Sequence, residues 1–365
     1  MYGVLGAMET QIANNELVQV RDDAMFASHQ AVQRALGNVG YITNLVTTHT
    51  IFYASHLRRP ILQEGPAGAG KTELAVSLSR ASGMPLVRLQ CYDGISDKEA
   101  IGEYNRAMQE LYVLINKEAN RDWRQLREEI VSREFFIAGP LLQAIEAPER
   151  VILLIDEIDK IPHAFEAMLL ELLSVWQLSV PGLGTITAKT IPFTILTSNA
   201  EREIGDPLRR RSLYLLLEHP SAMQQATIVA RKSPTLSPRT HLFIAGFAHA
   251  LRAFNLEKPP SISEMNDLAQ VMEMMGWPVL TPELSEVVYP LLVKRTKDLS
   301  RMRTKDQFAS ILATAIKSLQ GLNLEDIPDL TLETTENPQR SSFDSVETAK
   351  SQEQQPQLSE VANAT

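Results

Sequence analysis

The chain has 365 residues, 44% apolar and 22% charged, an ordinary balance for one large or two modest globular domains. A formal charge of −9 and an isoelectric point near 5.4 argue against a general nucleic-acid binder, which presents a basic face. The charge is uneven: residues 322–365 hold nine acidic side chains against Arg340 and Lys350, so this tail carries −7 and the remainder −2.

In chain order, residues 1–38 are mixed, with a helix expected over 24–36 and closed by Gly37. Residues 40–55 are periodic enough for a second helix. Arg59 to Glu64 reads as a short apolar strand, and Glu73 to Arg80 as a helix stopped by Gly83 and Pro85. Between them, Gly65-Pro66-Ala67-Gly68-Ala69-Gly70-Lys71-Thr72 fits the G-x-x-x-x-G-K-[ST] pattern of a phosphate-cradling loop. Strand, glycine turn and helix are the context that pattern needs. The glycines let backbone N–H groups close around a polyphosphate, and the helix N-terminus adds roughly half a positive charge.

Leu86 to Gln90 alternates as a strand. Ser96-Asp97-Lys98-Glu99 is a capping box, predicting a helix from there towards Ile115. Residues 120–133 read as an exposed helix, followed by the turn Ala138-Gly139-Pro140 and the apolar run Leu141 to Ile145. Val151 to Ile155 is a continuous apolar run, as in a strand buried on both faces, and it ends in Asp156-Glu157. Phe165 to Trp176 predicts a helix, and Leu178 to Lys189, with Gly182 and Gly184 inside it, a small hairpin. Phe193 to Asn199 and Leu213 to Leu217 complete a set of five core strands. Strands alternating with helices predict a parallel sheet flanked by helices, an α/β fold. Beyond residue 219, helices are expected at 222–231, 240–254, 261–275, 282–294 and 304–319, the third opened by the capping box Ser261-Ile262-Ser263-Glu264. From about residue 325 the composition predicts disorder. The expected organisation is an N-terminal segment (1–38), a nucleotide-binding α/β domain (39–218), an all-α lid (219–322) and an acidic tail (323–365).

Cys91 is the sole cysteine, so no intrachain disulfide or cysteine-built metal site is expected, and a cytoplasmic location suits it. The N-terminus lacks the basic region of a signal peptide, and no membrane span is expected.

Each chemical signal has a role in phosphoryl transfer. Lys71 would reach the β- and γ-phosphates, while Thr72 and Asp156 would hold Mg²⁺. Glu157 would act as the base on the attacking water, and Asn199 would fix that water or contact the γ-phosphate. From the run Arg209-Arg210-Arg211, one arginine would stabilise developing charge, Arg211 first and Arg210 as the alternative. Taken singly, these residues also read as solvated carboxylates, a turn residue and a basic surface patch; their occurrence in this order is the specific signal.

At these residues the chain resembles the AAA+ ATPases. The loop from Gly65 to Thr72 looks like Walker A, Ile152 to Asp159 like Walker B, Thr197-Ser198-Asn199 like sensor 1, and Leu208 to Arg211 like an arginine-finger region. More narrowly, Gly139-Pro140-Leu141-Leu142, Gly184-Thr185-Ile186, Leu196 to Ala200 and Pro260 to Glu264 resemble the MoxR family, nearest its carbon-monoxide-dehydrogenase-maturation (CoxD-like) subgroup. The likeness runs from about Gly40 to Gly276.

The resemblance implies a P-loop NTPase core of five parallel strands with a helical lid. ATP and Mg²⁺ would be held by residues 65–72, the following Glu73, and Asp156. It further implies a ring, often hexameric, with an arginine acting on a neighbour's nucleotide, and a hairpin at 178–189 directed to the pore or a client. A partner with a von Willebrand A-type domain is also expected, and so is chaperone-like remodelling or metal-centre maturation of a protein client. One departure stands out: Ser261-Ile262-Ser263 replaces the arginine usual near the start of the lid helix, with Lys258 three residues upstream. The competing functions are a motor or loader acting on nucleic acid, a small-molecule kinase, and a nucleotide-gated scaffold with little turnover. The near-neutral core disfavours the first.

Overall fold

Five short apolar runs become the strands of one parallel sheet. They are β1 (Ile61–Glu64), β2 (Leu86–Gln90), β5 (Ile152–Asp156), β8 (Phe193–Ser198) and β9 (Leu213–Leu216), in the order β2-β5-β8-β1-β9. All four pairings are parallel, so the five carboxyl ends share one edge. The computed structural model describes residues 24–116, 122–254, 256–302 and 304–318.

The three central strands, β1, β5 and β8, are buried along their whole length. Alternate residues feed opposite faces, as strand geometry dictates. Leu62, Leu153, Ile155 and Leu196 enter one core with the helices Pro140–Glu146 and His163–Val175. Ile61, Ile152, Leu154 and Ile195 enter the other with His29–Asn38, Leu45–Leu57 and Lys71–Ser82. A third core, built on Phe247, Leu268 and Phe308, belongs to the helices after residue 221. The five-stranded parallel sheet, its flanking helices and the helical C-terminal region constitute a P-loop AAA+ fold.

The structure departs from the expected elements in five places. The helix expected over 24–36 is a 3₁₀ turn, Ala24–Phe26, and a separate helix, His29–Asn38, that runs through Gly37. The helix opened by the Ser96 capping box ends after one turn, Asp97–Ala100. The chain then forms β3 (Gly102–Tyr104), which pairs antiparallel with β4 (Phe136–Ala138), before the helix Arg106–Asn116 begins. Gly102 is the reason: its φ is +127°, and a Cβ there would lie 2.1 Å from the Ile137 carbonyl oxygen. The exposed helix is shorter, Trp123–Ile130, with 117–121 outside the described residues. The expected helix over 282–294 splits into a 3₁₀ turn, Pro282–Leu284, and a helix, Ser285–Leu292. An unforeseen helix, Thr296–Met302, follows. The expected disordered tail lies outside the described residues.

Two insertions stand out from the sheet. The hairpin β6 (Gln177–Val180) and β7 (Gly184–Thr187) forms as expected. Its turn rests on Tyr104, for a Cβ at Gly182 would come within 2.5 Å of the Tyr104 hydroxyl. The helix Arg106–Asn116 buries none of its residues and exposes Met108, Leu111, Leu114 and Ile115. Among the described residues no helix is long and apolar enough to cross a membrane.

Candidate functional site

The carboxyl edge of the sheet gathers side chains that lie far apart in sequence. β1 runs into the glycine loop, where Gly68 and Gly70 adopt φ of +76° and +87°, left-handed values that glycine accepts without steric cost. The helix Lys71–Ser82 begins directly behind them. Gly65 approaches β9 so closely that a Cβ would lie 2.2 Å from the Leu217 carbonyl oxygen.

Lys71 is buried at the centre of this edge. Its ammonium donates to the Gly65 carbonyl at 2.6 Å, the Pro66 carbonyl at 2.9 Å and Asn199 Oδ1 at 2.7 Å. Burial lowers its pKa from the ordinary lysine value, against the opposing pull of Asp159, Asp156, Glu157 and Glu201. Thr72 points its hydroxyl at Asp156, 3.2 Å from Oδ2. Asp156, at the tip of β5, also accepts from the Thr197 hydroxyl and from Arg88 Nη2 at 2.6 Å. Thr197 in turn accepts the Glu157 amide at 3.0 Å, so one hydroxyl ties the ends of β5 and β8 together.

Both strand tips then bend through left-handed backbone at residues other than glycine: Glu157 at φ 58° and Ala200 at φ 59°. Such positions cost about 1–3 kcal/mol each and cluster at functional sites. The Glu157 carboxylate pairs with Lys160 at 2.5 Å. Below it, buried Glu166 accepts from Arg202 and from the Gly205 amide, while Arg202 also binds the Asp159 and Ile161 carbonyls. This clasp fixes the segment that leads from Asn199 to the helix Asp206–Arg211.

The structure therefore brings together Gly65 to Thr72, Asp156 and Asn199, with Glu157 adjoining them. Glu73 turns away and forms an exposed pair with Arg80. The arginines divide. Arg209 reaches back to the buried Glu64 carboxylate at 2.6 Å and supports the tip of β1. Arg210 and Arg211 are exposed, on Asp206 and on the Pro207 carbonyl respectively. Sequence reasoning passed over Arg88, Thr197 as a bridge, and Glu166. The alternation that exposes Arg88 and Gln90 on one face of β2 is the only local signal for the first.

The helical region meets the loop at Ser261 and Ile262, the Ile262 amide donating to the Gly68 carbonyl at 3.5 Å. Asp298, fully buried, accepts the backbone amides of Glu257 at 2.8 Å and Lys258 at 3.1 Å. That fixes the approach to Ser261, whose side chain caps the helix Ile262–Met275 and packs on Gly68. His219 lies just beyond β9 with Nδ1 buried and unpaired among the described residues. Burial first, then Arg252 and Lys71, lower its pKa from the ordinary 6.5. Cys91, buried behind Asp156, has its thiol pushed up to about 12, chiefly by burial, which makes it inert.

The donor set suits a magnesium polyphosphate. Thr72 and Asp156 offer hard oxygen ligands side by side, and the positive φ of Gly68 and Gly70 shapes the loop that runs into the helix carrying Lys71 and Thr72. Among the described residues no group of three or more His, Cys, Asp or Glu is placed to hold a metal ion by itself.

Residues 60–212 match the AAA domain of the dynein-related subfamily. Over 238 residues the chain is 25% identical to Midasin of Dictyostelium discoideum, an alignment that covers 63% of this chain and 4% of Midasin. It is also 24% identical over 230 residues to uncharacterized proteins from two strains of Staphylococcus epidermidis, covering 60% of this chain and 80% of theirs. The chain thus spans a small fraction of Midasin and most of the bacterial relatives. Residues 60–212 form an AAA+ nucleotide-binding domain.

Proposed function

We propose, taking residues 60–212 as an AAA+ domain, that the protein hydrolyses ATP with Mg²⁺ and uses the energy to remodel a protein client or mature its metal centre. The single observation that carries this is the meeting of Lys71, Thr72, Asp156 and Asn199 at hydrogen-bond distances from three separate segments. Loop amides and Lys71 bind the phosphates. Thr72 and Asp156 hold Mg²⁺, which supplies neutralisation of charge on the phosphate oxygens. Glu157 leaves Lys160 to take the proton of the attacking water, and Asn199 orients that water. Arg211, or Arg210, reaches a neighbouring subunit's nucleotide across a ring of six, which accounts for its exposure in its own chain.

The MoxR assignment, its CoxD-like subgroup and a von Willebrand A-type partner rest on the motif resemblance. The exposed apolar face of Arg106–Asn116 supports a protein client, because patches of this kind mark protein contacts.

Phosphate release by wild type and Glu157→Gln tests the proposal. Removing a positioned base costs on the order of 10²–10⁴-fold in rate. Turnover by Glu157→Gln at the wild-type rate contradicts the assignment. A second reading, a nucleotide-gated scaffold, is favoured by one observation: the residue packed on Gly68 is Ser261, and the first turn of its helix carries Glu264 and no basic side chain. Stoichiometric binding without phosphate release selects it.

A further inference from the structure

Arg88 stands on β2, the edge strand of the sheet, with its side chain 49% exposed. In the parallel register Gln90 lies beside Asp156 and Arg88 beside Leu154, so the guanidinium reaches one step along the neighbouring strand to the buried carboxylate at its tip. Arg88 Nη2 donates to Asp156 Oδ2 at 2.6 Å and to Gln90 Oε1 at 2.5 Å. Oδ2 is also the carboxylate oxygen nearer the Thr72 hydroxyl, at 3.2 Å. The guanidinium therefore sits on the oxygen that Thr72 and Asp156 would offer jointly to a divalent cation.

We infer that Arg88 is a competing counter-ion for Asp156: a divalent cation entering with nucleotide must displace the guanidinium, which holds the site's cation affinity down. This rests on the nucleotide reading above. One carboxylate carries one negative charge, and Lys71 already draws on it. Placing two further positive charges beside a bound guanidinium is repulsive, and the repulsion is strongest where water is excluded. The Gln90 amide oxygen is a second acceptor already in contact with the same Nη2, so Arg88 has a place to dock when it leaves Asp156. Its half-exposure on an edge strand leaves it room to move. Arg88 acts through Asp156 and is thus a positioning residue.

Manganese binding followed by electron paramagnetic resonance, with a non-hydrolysable ATP analogue, tests this on the full chain. Wild type, Arg88→Gln, Arg88→Lys and Lys71→Ala are compared, with melting curves to show that each is folded. Arg88→Gln keeps the amide reach without the charge and should bind Mn²⁺ on the order of tenfold tighter than wild type. Arg88→Lys keeps the charge and should stay nearer the wild-type affinity, and it carries the test should Arg88→Gln not fold. Folded Arg88→Gln with unchanged or weaker affinity overturns the competition alone, as does Arg88→Lys bound as tightly as Arg88→Gln. Absence of nucleotide-dependent Mn²⁺ binding in wild type, or its survival in Lys71→Ala, overturns the nucleotide reading as well.

Discussion

Lys71 donates to Asn199 Oδ1 at 2.7 Å across 128 residues of sequence, joining the phosphate loop to the tip of β8. Any group that Lys71 binds is therefore registered at Asn199. Asn199→Ala removes one of three acceptors from the ammonium and leaves the Gly65 and Pro66 carbonyls in place. Nucleotide binding should persist within a few-fold while phosphate release falls on the order of 10²-fold, the scale of losing one positioned polar group. Fluorescent-nucleotide titration beside a phosphate-release assay separates the two effects. Loss of binding as complete as in Lys71→Ala contradicts a role confined to turnover.

Gly68 has φ +76°, and an added Cβ would lie 2.2 Å from Ser261 Cβ. Gly68→Ala therefore meets two penalties, a left-handed backbone costing about 1–2 kcal/mol and a collision with the lid. The melting temperature should drop and nucleotide affinity should fall. Adding Ser261→Gly relieves the collision without the backbone cost, so a double-mutant cycle should show partial recovery of both. Strict additivity of the two changes argues against the contact.

Arg210 and Arg211 are exposed, whereas Arg209 is anchored on Glu64. Arg211→Ala and Arg210→Ala should each leave stability within about 0.5 kcal/mol, as surface changes do. Arg209→Ala should be costlier, since it leaves a buried carboxylate unpaired. Of the first two, the finger lowers turnover and spares binding. Mixing that variant with Glu157→Gln subunits should restore part of the activity. No restoration contradicts action across a subunit boundary.

His219 titrates below its ordinary 6.5 because of burial, Arg252 and Lys71. Below that ordinary value the unfolded chain takes up more protons at this residue than the folded one. Its contribution to stability is therefore intact above about pH 6.5 and is lost as pH falls through the folded value. Melting curves between pH 7.5 and 5.5 should show a steeper decline for wild type than for His219→Gln. Parallel declines mean that other groups set the acid sensitivity.

Much of this architecture is legible in local pattern. The apolar runs at 152–155 and 193–196 announce buried strands, the glycine loop lies between strand and helix, and the capping boxes at Ser96 and Ser261 each start a helix. What local pattern does not carry is pairing across distance. The one-turn helix after Ser96 stops because Gly102 must approach Ile137, 35 residues on, and nothing near residue 102 says so. Arg88 reads as a solvated strand residue until the β2–β5 register places it beside Leu154, within side-chain reach of Asp156. Glu166 reads as one more acidic residue on a helix until Arg202 and Gly205 close on it. Arg210 and Arg211 stand in the converse position, read as chemistry in the sequence and found at the surface of their own chain.

The central claim is that the loop around Lys71 grips a triphosphate. Calorimetric titration of Mg-ATP into folded wild type and Lys71→Ala tests it most directly. Saturable binding near one nucleotide per chain is predicted for wild type, with affinity on the order of 10²-fold weaker or lost when the buried, charge-assisted donor is removed. Equal binding by both proteins, or none by wild type, contradicts it.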